Sequence, residues 1–525
     1  VKVISKEQAE AAMVIAIESK DNELAVAVVD AQNEKTKAVL TELADRHIRT
    51  KIFIASRAGI EEAMHFYEYI PAQAGVITGK LTLKNDEHDS IGKKIATFQS
   101  AKKYFEGLDF GKVSTTQLFD ECVIGALSNH ASDIHFETEE QHGRIRYRID
   151  GLLHDVCTVI PPGSYRNLMS RIKLLSGLKI NVRDHSQDGR FTIHMDTKDI
   201  EVRVSIIPGQ FGETVVMRIL DPDSLVIDLT KLGMRSDDLE MIKKDLDRPN
   251  GLILNTGPTG SGKTTTLYAF LQNVASSQNK VITVEDPIEY RIPNISQTQV
   301  DPEAQYTFAS GLRSILRQDP DVILVGEIRD EETADMAMQA SLTGHLVFST
   351  LHTNDAIGAI PRLIDLGVRS ATIGPAVAVV IAQRLVRRLC PVCKQAVSID
   401  DLAKKNIETL LLHLPERIDK TPYQNFLNQQ SPVPQVIYKP IGCDQCSGFG
   451  YKGRIAIFEF FRMSPELEEA ILQSASEVTV RAIAKQQKMV TMQQDGILKV
   501  LTGETSFEEV EEVTGRIEWS RFGAE

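Results

Sequence analysis

The feature that most constrains the fold is the stretch GLILNTGPTGSGKTTTLYAFLQ, which spans residues 251–272. It places the pattern G-x-x-x-x-G-K-T between an apolar, strand-like run and a helix-like run, which is the context of a phosphate-binding loop. Glycines let the backbone turn close to phosphate oxygens, and the amides at the start of the helix point at the same anion. We therefore expect a parallel α/β sheet that binds ATP or GTP at a strand end.

Each position of this loop has an expected role. Lys263 is expected to pair with the β- and γ-phosphates of ATP, and the Thr264 hydroxyl is expected to bind Mg²⁺. The residues expected to surround the nucleotide are Gly257, Pro258, Thr259, Gly260, Ser261, Gly262, Lys263, Thr264 and Thr265.

Acidic residues follow two other strand-like runs, and one of them does not stand at the usual position. In DVILVGEIRD, Gly326 stands where many ATP-hydrolysing folds carry the Asp that holds Mg²⁺, and Glu327 follows it. A second apolar run ends in VITVEDPIEY, which supplies Glu285 and Asp286. Because the carboxyl ends of parallel strands meet at one edge, these three carboxylates are expected to face the same phosphates. The alternative for Glu285 and Asp286 is an ordinary solvent-exposed strand end.

The composition is that of a soluble globular protein with several domains. The chain has 525 residues, of which 42% are hydrophobic and 25% charged. No apolar run approaches the ~20 residues that span a bilayer, and the most apolar stretch, ATIGPAVAVVIA at 371–382, predicts a buried helix. The net charge of −13 disfavours direct nucleic-acid binding. Without a secretion-signal pattern at its start, the chain is expected to be cytoplasmic.

Changes in pattern along the chain predict four segments. Residues 1–80 alternate strand-like and helix-like runs, which predicts a small α/β domain for interactions. Residues 81–113 are polar, with scattered Gly and Lys, and predict a linker. Residues 114–230 begin with a helix and continue with alternating strands, and residues 231–525 carry the parallel-sheet signals of the nucleotide-binding domain.

Four of the six cysteines form two C-x-x-C pairs, in LCPVCK and GCDQCSGFGYKGR. They are Cys390, Cys393, Cys443 and Cys446. Stable disulfides are disfavoured in the cytosol, so the two pairs suggest one structural Cys₄ zinc site in an insert at about 389–454. A redox dithiol or two unconnected pairs are the alternatives. Cys122 and Cys157 are expected to be buried apolar residues.

Further motifs extend over about residues 114–515. They are GPTGSGKTTTLY, VEDPIEY, GLRSILRQDPDVILVGEIRD, QASLTGHLVFSTLHTNDA and AQRLVRRLCPVCK, preceded by ASDIHFE, SRIKLLSGLKI, QDGR and FGETVVMRIL. In these motifs the chain resembles the ATPases of type II secretion and type IV pilus assembly. The resemblance implies a RecA-like P-loop motor domain, preceded by a PAS-like α/β domain. In this family a glycine before the glutamate is normal, so Gly326 is not a defect.

The resemblance also implies roles for single residues. Glu327 is placed like the family's catalytic acid, which polarises the attacking water. Glu285 and Asp286 match its acidic box, which is thought to help place water and metal. His345 and His352 match its histidine box, which implies γ-phosphate sensing or interface coupling.

Arginines of the preceding domain are expected to complete the site, as in similar hexameric motors. Arg190 in QDGR and Arg203 in VRVS are the candidates for reaching the γ-phosphate, and Arg218 is a third. Ordinary surface or strand charge is the alternative for each of them.

The implied function is that of a cytoplasmic homo-hexamer that couples ATP hydrolysis to extension of a type IV pilus or a type II secretion pseudopilus. Its implied partners are an integral platform protein and a cytoplasmic adaptor, which would hold it at the inner membrane. The tetracysteine insert and the additional N-terminal domain favour extension or secretion over retraction. Two alternatives remain open: the ATPase of a competence or DNA-uptake system, and a nucleotide-dependent scaffold that does not hydrolyse ATP.

Overall fold

The structure is a computed structural model of the chain, and it describes residues 4, 6–20, 23–45, 49–64, 79–83, 91–196, 198–225, 228–428, 434–473 and 476–522. The chain divides into two compact units, Val1–Thr78 and Gly79–Glu525. Each unit has its own sheets and apolar core. No helix among the described residues is both long and apolar enough to cross a bilayer.

The first unit is a three-stranded sheet with helices packed against it. Its elements are α1 (Lys6–Ala12), β1 (Val14–Lys20), β2 (Glu23–Val28), α2 (Glu34–Asp45), β3 (Arg49–Ile54) and α3 (Arg57–Met64). β2 lies between its neighbours, antiparallel to β1 and parallel to β3. This is a small α/β arrangement of the kind predicted for residues 1–80, although residues 65–78 lie outside the described part.

The second unit begins with a seven-stranded, mostly antiparallel sheet in the order β4-β8-β9-β10-β5-β6-β7. Its strands are β4 (Lys80–Thr82), β5 (Asp133–Thr138), β6 (Gly143–Ile149), β7 (Leu152–Ile160), β8 (Gln187–His194), β9 (Asp199–Gly209) and β10 (Gly212–Leu220). Its helices are α4 (Phe98–Glu106), α5 (Thr115–Ser128), α6 (Pro162–Leu175) and α7 (Pro222–Leu225). Alternate strand residues, such as Phe136, Tyr147 and Phe191, are buried together with apolar residues of α4, α5 and α6. The opposite face of the sheet is therefore free to carry charge.

The predicted linker at 81–113 is folded wherever the structure describes it, so this prediction is wrong there. β4 pairs with β8 at the sheet edge, and α4 buries Phe98, Ala101 and Phe105 in the same core as the sheet. An amphipathic helix exposes its polar face, so the polar composition of this segment concealed a narrow apolar stripe. Residues 84–90 lie outside the described part.

The other seven-stranded sheet of the second unit has the order β13-β12-β14-β15-β11-β16-β19. The strands of the C-terminal half are β11 (Gly251–Thr256), β12 (Val281–Glu285), β13 (Ser296–Gln299), β14 (Val322–Val325), β15 (Leu346–Leu351), β16 (Val377–Leu389), β17 (Gln395–Ser398), β18 (Val436–Lys439) and β19 (Tyr451–Arg462). All strands of this sheet are parallel except β19, which is antiparallel to β16. The predicted parallel α/β fold is confirmed.

The helices of the C-terminal half are α8 (Ser236–Leu246), α9 (Lys263–Val274), α10 (Phe308–Ile315), α11 (Glu331–Leu342), α12 (Ala359–Asp365), α13 (Ser370–Ala376), α14 (Asp401–His413), α15 (Gln424–Leu427), α16 (Pro465–Leu472), α17 (Glu477–Gln486), α18 (Met492–Leu501) and α19 (Phe507–Thr514). Helices α14 and α15 pack with α18 in a separate core, and most of the others cover the two faces of the sheet. One core contains apolar residues of α9, and the other contains those of α10, α11 and α12. The carboxyl ends of β11, β15, β14 and β12 consequently lie along one edge, where a ligand of such a sheet binds.

The apolar stretch 371–382 is only half helical, which corrects the predicted buried helix. α13 ends at Ala376, and β16 begins at Val377 and is buried between β11 and β19. Pro375 stands in the last turn of α13, and the β-branched residues that follow favour a strand. Hydrophobicity alone does not separate a buried strand from a buried helix in a run of this kind.

Candidate functional site

The loop between β11 and α9 folds as a tight cradle. Gly257 and Gly262 have φ values of 151° and 87°, which side chains other than glycine rarely adopt. A Cβ atom on Gly257 would lie 2.6 Å from the carbonyl oxygen of Gln383, and one on Gly262 would lie 2.9 Å from its Nε2 atom. Both glycines are therefore required, because β16 crowds the loop from the neighbouring strand position.

Polar side chains hold this cradle from beneath. The Gln383 Oε1 atom accepts hydrogen bonds from Asn255 Nδ2 at 3.0 Å and from Thr266 Oγ1 at 2.8 Å. All three residues are buried, so the contacts link the end of β11, the first turn of α9 and β16 without water. No role was predicted for Gln383, although it lies in the motif AQRLVRRLCPVCK.

Lys263 projects back over the loop. Its Nζ atom donates to the carbonyl oxygens of Gly257 at 2.7 Å and Pro258 at 3.0 Å. Burial lowers the pKa of Lys263 to about 8, while the negative charge of Glu327 raises it and the positive charge of Arg384 lowers it further. The ammonium group is thus held over the loop by two carbonyl oxygens and lies within the field of the Glu327 carboxylate.

The remaining loop residues fit a polyphosphate. Pro258, Thr259, Gly260 and Thr264 are exposed, and Thr265 is half-buried. Ser261 is 3% exposed, and its Oγ atom has no hydrogen-bond partner among the described residues. A turn of backbone amides with an orphaned buried hydroxyl and a nearby ammonium matches the donor set that phosphate oxygens need. The Thr264 hydroxyl, at the start of α9, would be the protein ligand of Mg²⁺.

Glu327 stands at the same edge, just beyond the end of β14. Its side chain is 13% exposed, with Oε1 2.6 Å from Arg329 Nη2 and Oε2 3.5 Å from His352 Nε2. The hydrogen bond with Glu327 raises the pKa of Arg329, which also lies within the field of Asp286. The structure therefore brings Glu327 into contact with His352, and the Glu327 charge acts on Lys263.

The glycine before this acid has a steric cause. The Gly326 amide donates to the carbonyl oxygen of Val284 on β12 at 2.8 Å. A Cβ atom on Gly326 would lie 3.2 Å from Phe308 Cε1, 3.3 Å from that oxygen and 3.4 Å from Glu285 Cα. A side chain at position 326 would press against Phe308 and β12, so the first acidic side chain after β14 is that of Glu327.

His352 is held in place through the residue that follows it. The Thr353 amide donates to Thr256 Oγ1 at 2.8 Å, and the two threonine hydroxyls are 2.7 Å apart. Thr256 is the last residue of β11. These bonds therefore hold the loop that begins at His352, called here the histidine loop, against the strand that leads into the phosphate cradle.

His345 lies at the opposite end of the strands, just before β15 begins. Its carbonyl oxygen accepts from the amide of Gly251, where β11 begins, and its Nδ1 atom lies 2.9 Å from the carbonyl oxygen of Ala340. The length of β15, about 20 Å at ~3.3 Å per residue, separates it from His352. The expectation that His345 senses the γ-phosphate does not hold within one chain, while a role at an interface stays a prediction.

Glu285 differs from the expected open acid. It is 3% exposed and accepts hydrogen bonds from the Tyr268 hydroxyl, from Thr283 Oγ1 at 2.5 Å and from Gln297 Nε2 at 3.2 Å. Burial raises its pKa, while these three donors lower it. Its carboxylate thus joins α9, β12 and β13, which is a supporting position. Asp286, the next residue, is exposed.

The candidate arginines form a row across the antiparallel sheet. Arg203 on β9 is opposite Arg190 on β8 and opposite Arg218 on β10. Arg203 reaches the loop after the acidic box, with Nη1 2.9 Å from Glu289 Oε2 and Nη2 donating to the Ile288 carbonyl oxygen at 2.7 Å. Arg190 is exposed, so Arg203 is the member of this row that is engaged with the nucleotide-binding half of its own chain.

Arg218 pairs within its own sheet, where Nε lies 3.0 Å from Asp133 Oδ1. The Asp133 carboxylate also faces Arg148 Nε at 3.3 Å. Arg218 is thus part of a charge pair on the sheet face, in agreement with the alternative of ordinary strand charge.

The four paired cysteines converge on one point. Their sulfur atoms lie within 4.8 Å of one another, with distances of 3.9 Å for Cys390–Cys443, 3.7 Å for Cys393–Cys446 and 3.8 Å for Cys443–Cys446. Sulfurs around a tetrahedral zinc with Zn–S bonds of about 2.3 Å are about 3.8 Å apart, whereas a disulfide needs about 2.05 Å. The alternative of two unconnected pairs is excluded, and the cluster fits Zn²⁺.

Backbone amides also point at these sulfurs. The Gly442 amide donates to Cys393 Sγ at 3.3 Å, and the Gly450 amide donates to Cys446 Sγ at 3.2 Å. Amide donors stabilise thiolate charge, which is the form that binds metal.

The cysteine cluster is also fastened to the preceding sheet. The Phe449 ring stacks on His154 of β7 with centroids 4.2 Å apart, and the Phe98 amide of α4 donates to Ser447 Oγ at 3.1 Å. A further bond runs from the Gly453 amide to Asp150 Oδ2 at 2.8 Å. The cluster therefore joins the two halves of the second unit.

The fold and this site define the chain as a RecA-like P-loop nucleotide-binding protein. Residues 110–512 match the family model described as type II/IV secretion system protein. The chain belongs to this family, and the resemblance noted from its motifs is confirmed.

Two curated relatives and one solved structure illustrate the likeness. Type II secretion system protein E of Dickeya dadantii is 44% identical over 399 residues, covering 76% of this chain and 75% of the relative. The type IV pilus assembly ATPase PilB of Myxococcus xanthus is 36% identical over 518 residues, covering 97% of this chain and 86% of the relative. The crystal structure of the pilus retraction motor PilT with bound ADP matches with a TM-score of 0.50 and 25% identity, covering 75% of this chain and 96% of PilT.

Proposed function

We propose that the chain is an ATPase that drives extension of a type IV pilus or a type II secretion pseudopilus. The observation that carries the proposal is the meeting of Lys263, Glu327 and His352 at the carboxyl edge of β11, β14 and β15. A phosphate cradle alone would serve binding. A carboxylate held beside the cradle by a histidine adds a group that can accept a proton from water.

The residues divide the work as follows. The loop amides and Lys263 bind the phosphates, and Thr264 holds Mg²⁺, which supplies charge neutralisation for phosphoryl transfer. Glu327 accepts the proton of the attacking water, and His352 orients its Oε2 oxygen. Glu285 supports the first turns of α9 through Tyr268.

The working assembly is proposed to be a homo-hexameric ring in which a neighbouring chain completes each site. Arg190 is exposed and, among the described residues, forms no ion pair, although it lies beside Arg203 on a highly charged sheet face. A guanidinium that stays charged and unpaired suits transition-state phosphate. Arg190 is therefore our candidate for action in trans, while Arg203 binds Glu289 in its own chain.

Hydrolysis is expected to depend on ring assembly. We expect phosphate release per chain to rise with protein concentration in parallel with the hexamer fraction in sedimentation velocity. Arg190→Ala should lower turnover by about 10³-fold, as loss of an arginine acting in trans does in other P-loop enzymes, while rings still form. Arg166→Ala is the matched control, because Arg166 is exposed on α6, which packs on the other face of that sheet. Equal turnover in monomers and rings would contradict the proposal.

The extent of the matches to the two relatives bears on which filament the protein assembles. The match to PilB extends over 97% of this chain and so includes the first unit, whereas the match to protein E covers 76%. Assembly of a type IV pilus is therefore favoured. The first unit is proposed to bind a cytoplasmic adaptor, and the ring is proposed to act on an integral platform protein at the inner membrane.

The cysteine cluster is proposed to hold one structural Zn²⁺. Metal analysis of purified protein is expected to find about one zinc per chain. Cys443→Ser should remove it and lower the thermal unfolding midpoint, because the binding free energy of a structural zinc is part of the folding free energy. Cys157→Ala is the control, since Cys157 is buried in the other core. The site would be rejected if wild-type protein without metal had the same thermal unfolding midpoint as wild-type protein with zinc. It would also be rejected if both variants lost zinc equally.

A further inference from the structure

Arg384 lies beside the first glycine of the phosphate cradle. On β16, Ala382 pairs with Thr256, so Arg384 stands two residues beyond the end of β11, level with the loop. Its Nη1 atom lies 3.1 Å from the position that a Cβ atom on Gly257 would take, and its Nη2 atom donates to the carbonyl oxygen of Asn354 at 2.9 Å. The guanidinium therefore sits between the cradle and the histidine loop.

The charge of Arg384 has no carboxylate partner among the described residues. Its two hydrogen bonds go to carbonyl oxygens, those of Asn354 and, at 3.2 Å, Gln383. By contrast, Arg387 on the same strand pairs with Glu509, and Arg329 pairs with Glu327. Burying a cation without an opposite charge raises the free energy of the protein. An anion bound beside the half-buried Arg384 would therefore lower that free energy.

The nearest acids are already engaged. Asp355 pairs with Arg481 at 2.6 Å. Glu459 is 5% exposed and accepts from the amides of Ala356 at 3.0 Å and Met492 at 3.1 Å. Burial lowers the pKa of Arg384, and the charges of Asp355 and Glu459 oppose this shift without a direct contact.

Lys263 is the second cation at this point. Its ammonium is bonded to the carbonyls of Gly257 and Pro258, and the positive charge of Arg384 contributes to lowering its pKa. Two like charges held around the same short segment repel each other, and an anion bound between them relieves that repulsion. A chain of phosphates, with several negative charges, is the ligand that this arrangement fits.

We propose that Arg384 binds the phosphate chain of a nucleoside di- or triphosphate in its own subunit, together with Lys263. This inference rests on the proposed nucleotide site and adds to it a residue that acts in cis, in contrast to Arg190. The guanidinium fork can give one arm to phosphate while the other stays on Asn354, so ligand binding and the histidine loop share one side chain.

The test compares ligands that differ in phosphate number. Displacement of a fluorescent ADP by ADP, AMP and inorganic tripolyphosphate is measured for wild-type, Arg384→Gln and Arg384→Lys proteins. For Arg384→Gln we expect about a tenfold to hundredfold loss of affinity for ADP and tripolyphosphate, and less than about a threefold loss for AMP. Arg384→Lys should fall between, because it keeps the charge and loses the fork.

Arg388→Ala is the matched control, since Arg388 is exposed on the same strand. Its affinities should equal those of wild type. Unchanged ADP affinity in Arg384→Gln, or equal losses for AMP and ADP, would overturn the inference, because a residue that only ties the loop would affect every ligand alike. If Arg384→Gln does not fold, the same comparison on Arg384→Lys decides. Failure of wild-type protein to bind ADP would instead reject the proposed nucleotide site.

Discussion

Replacing Glu327 by glutamine is expected to lower ATP turnover by about 10²–10⁴-fold and to leave nucleotide affinity within about threefold of wild type. Glutamine keeps the shape of the side chain but cannot accept a proton from the attacking water. The contact of Glu327 with His352 supports this role, because the imidazole orients the oxygen that would take the proton. Single-turnover phosphate release and a binding isotherm with an ATP analogue measure the two quantities separately.

Replacing Glu285, on the neighbouring strand, by glutamine is expected to affect stability rather than turnover. The buried Glu285 carboxylate accepts three hydrogen bonds. In Glu285→Gln the amide NH₂ group would face these donors, which lowers the free energy of unfolding by about 1–3 kcal/mol. We expect a lower melting temperature and a modest change in turnover. If Glu285→Gln lost as much turnover as Glu327→Gln at temperatures where it is folded, the division between a reactive and a supporting acid would be wrong.

Lys263→Ala is expected to weaken binding of ATP and ADP by about 10²-fold or more, because charge-assisted bonds to phosphate disappear. The loop should still fold, since the side-chain hydrogen bonds of Lys263 within the described part of the chain go to the carbonyls of Gly257 and Pro258. Lys244→Ala, at an exposed position on α8, is the control that should bind normally. Equal affinities of wild type and Lys263→Ala would show that the nucleotide does not use this loop.

The pH dependence of binding offers a second check on Lys263. Burial lowers its pKa to about 8, so above that pH the free site holds an uncharged amine and must take up a proton when phosphate binds. Affinity of wild-type protein is therefore expected to fall as the pH rises from about 7 to about 9. Lys263→Arg stays charged throughout this range and should not show the decline.

The sequence was most informative where a function depends on local spacing. The cradle, the strand before it and the helix after it follow one another in the chain, so their geometry could be predicted from the pattern around Lys263. Each C-x-x-C pair is also a local feature of the sequence. Only the structure shows that the two pairs converge on one site. The positions of His345 and His352 also had a local signal: a predicted strand between two residues places them at opposite edges of a sheet.

Features that depend on distant partners could not be predicted in this way. The burial of Glu285 results from Tyr268 on α9 and Gln297 on β13, which meet it only in the folded sheet. Arg203 reaches Ile288 across 85 positions of the chain. Arg384 likewise stands out only because β16 lies beside the cradle, so nothing in its immediate sequence separates it from Arg388.

A crystal structure of the protein with Mg²⁺ and a non-hydrolysable ATP analogue would show where the phosphates bind. We expect the backbone N–H groups of the loop 257–264, apart from Pro258, and the Lys263 ammonium to surround the β- and γ-phosphates, with Glu327 facing the γ-phosphate. Nucleotide bound at another place, with this loop free of phosphate, would contradict this expectation.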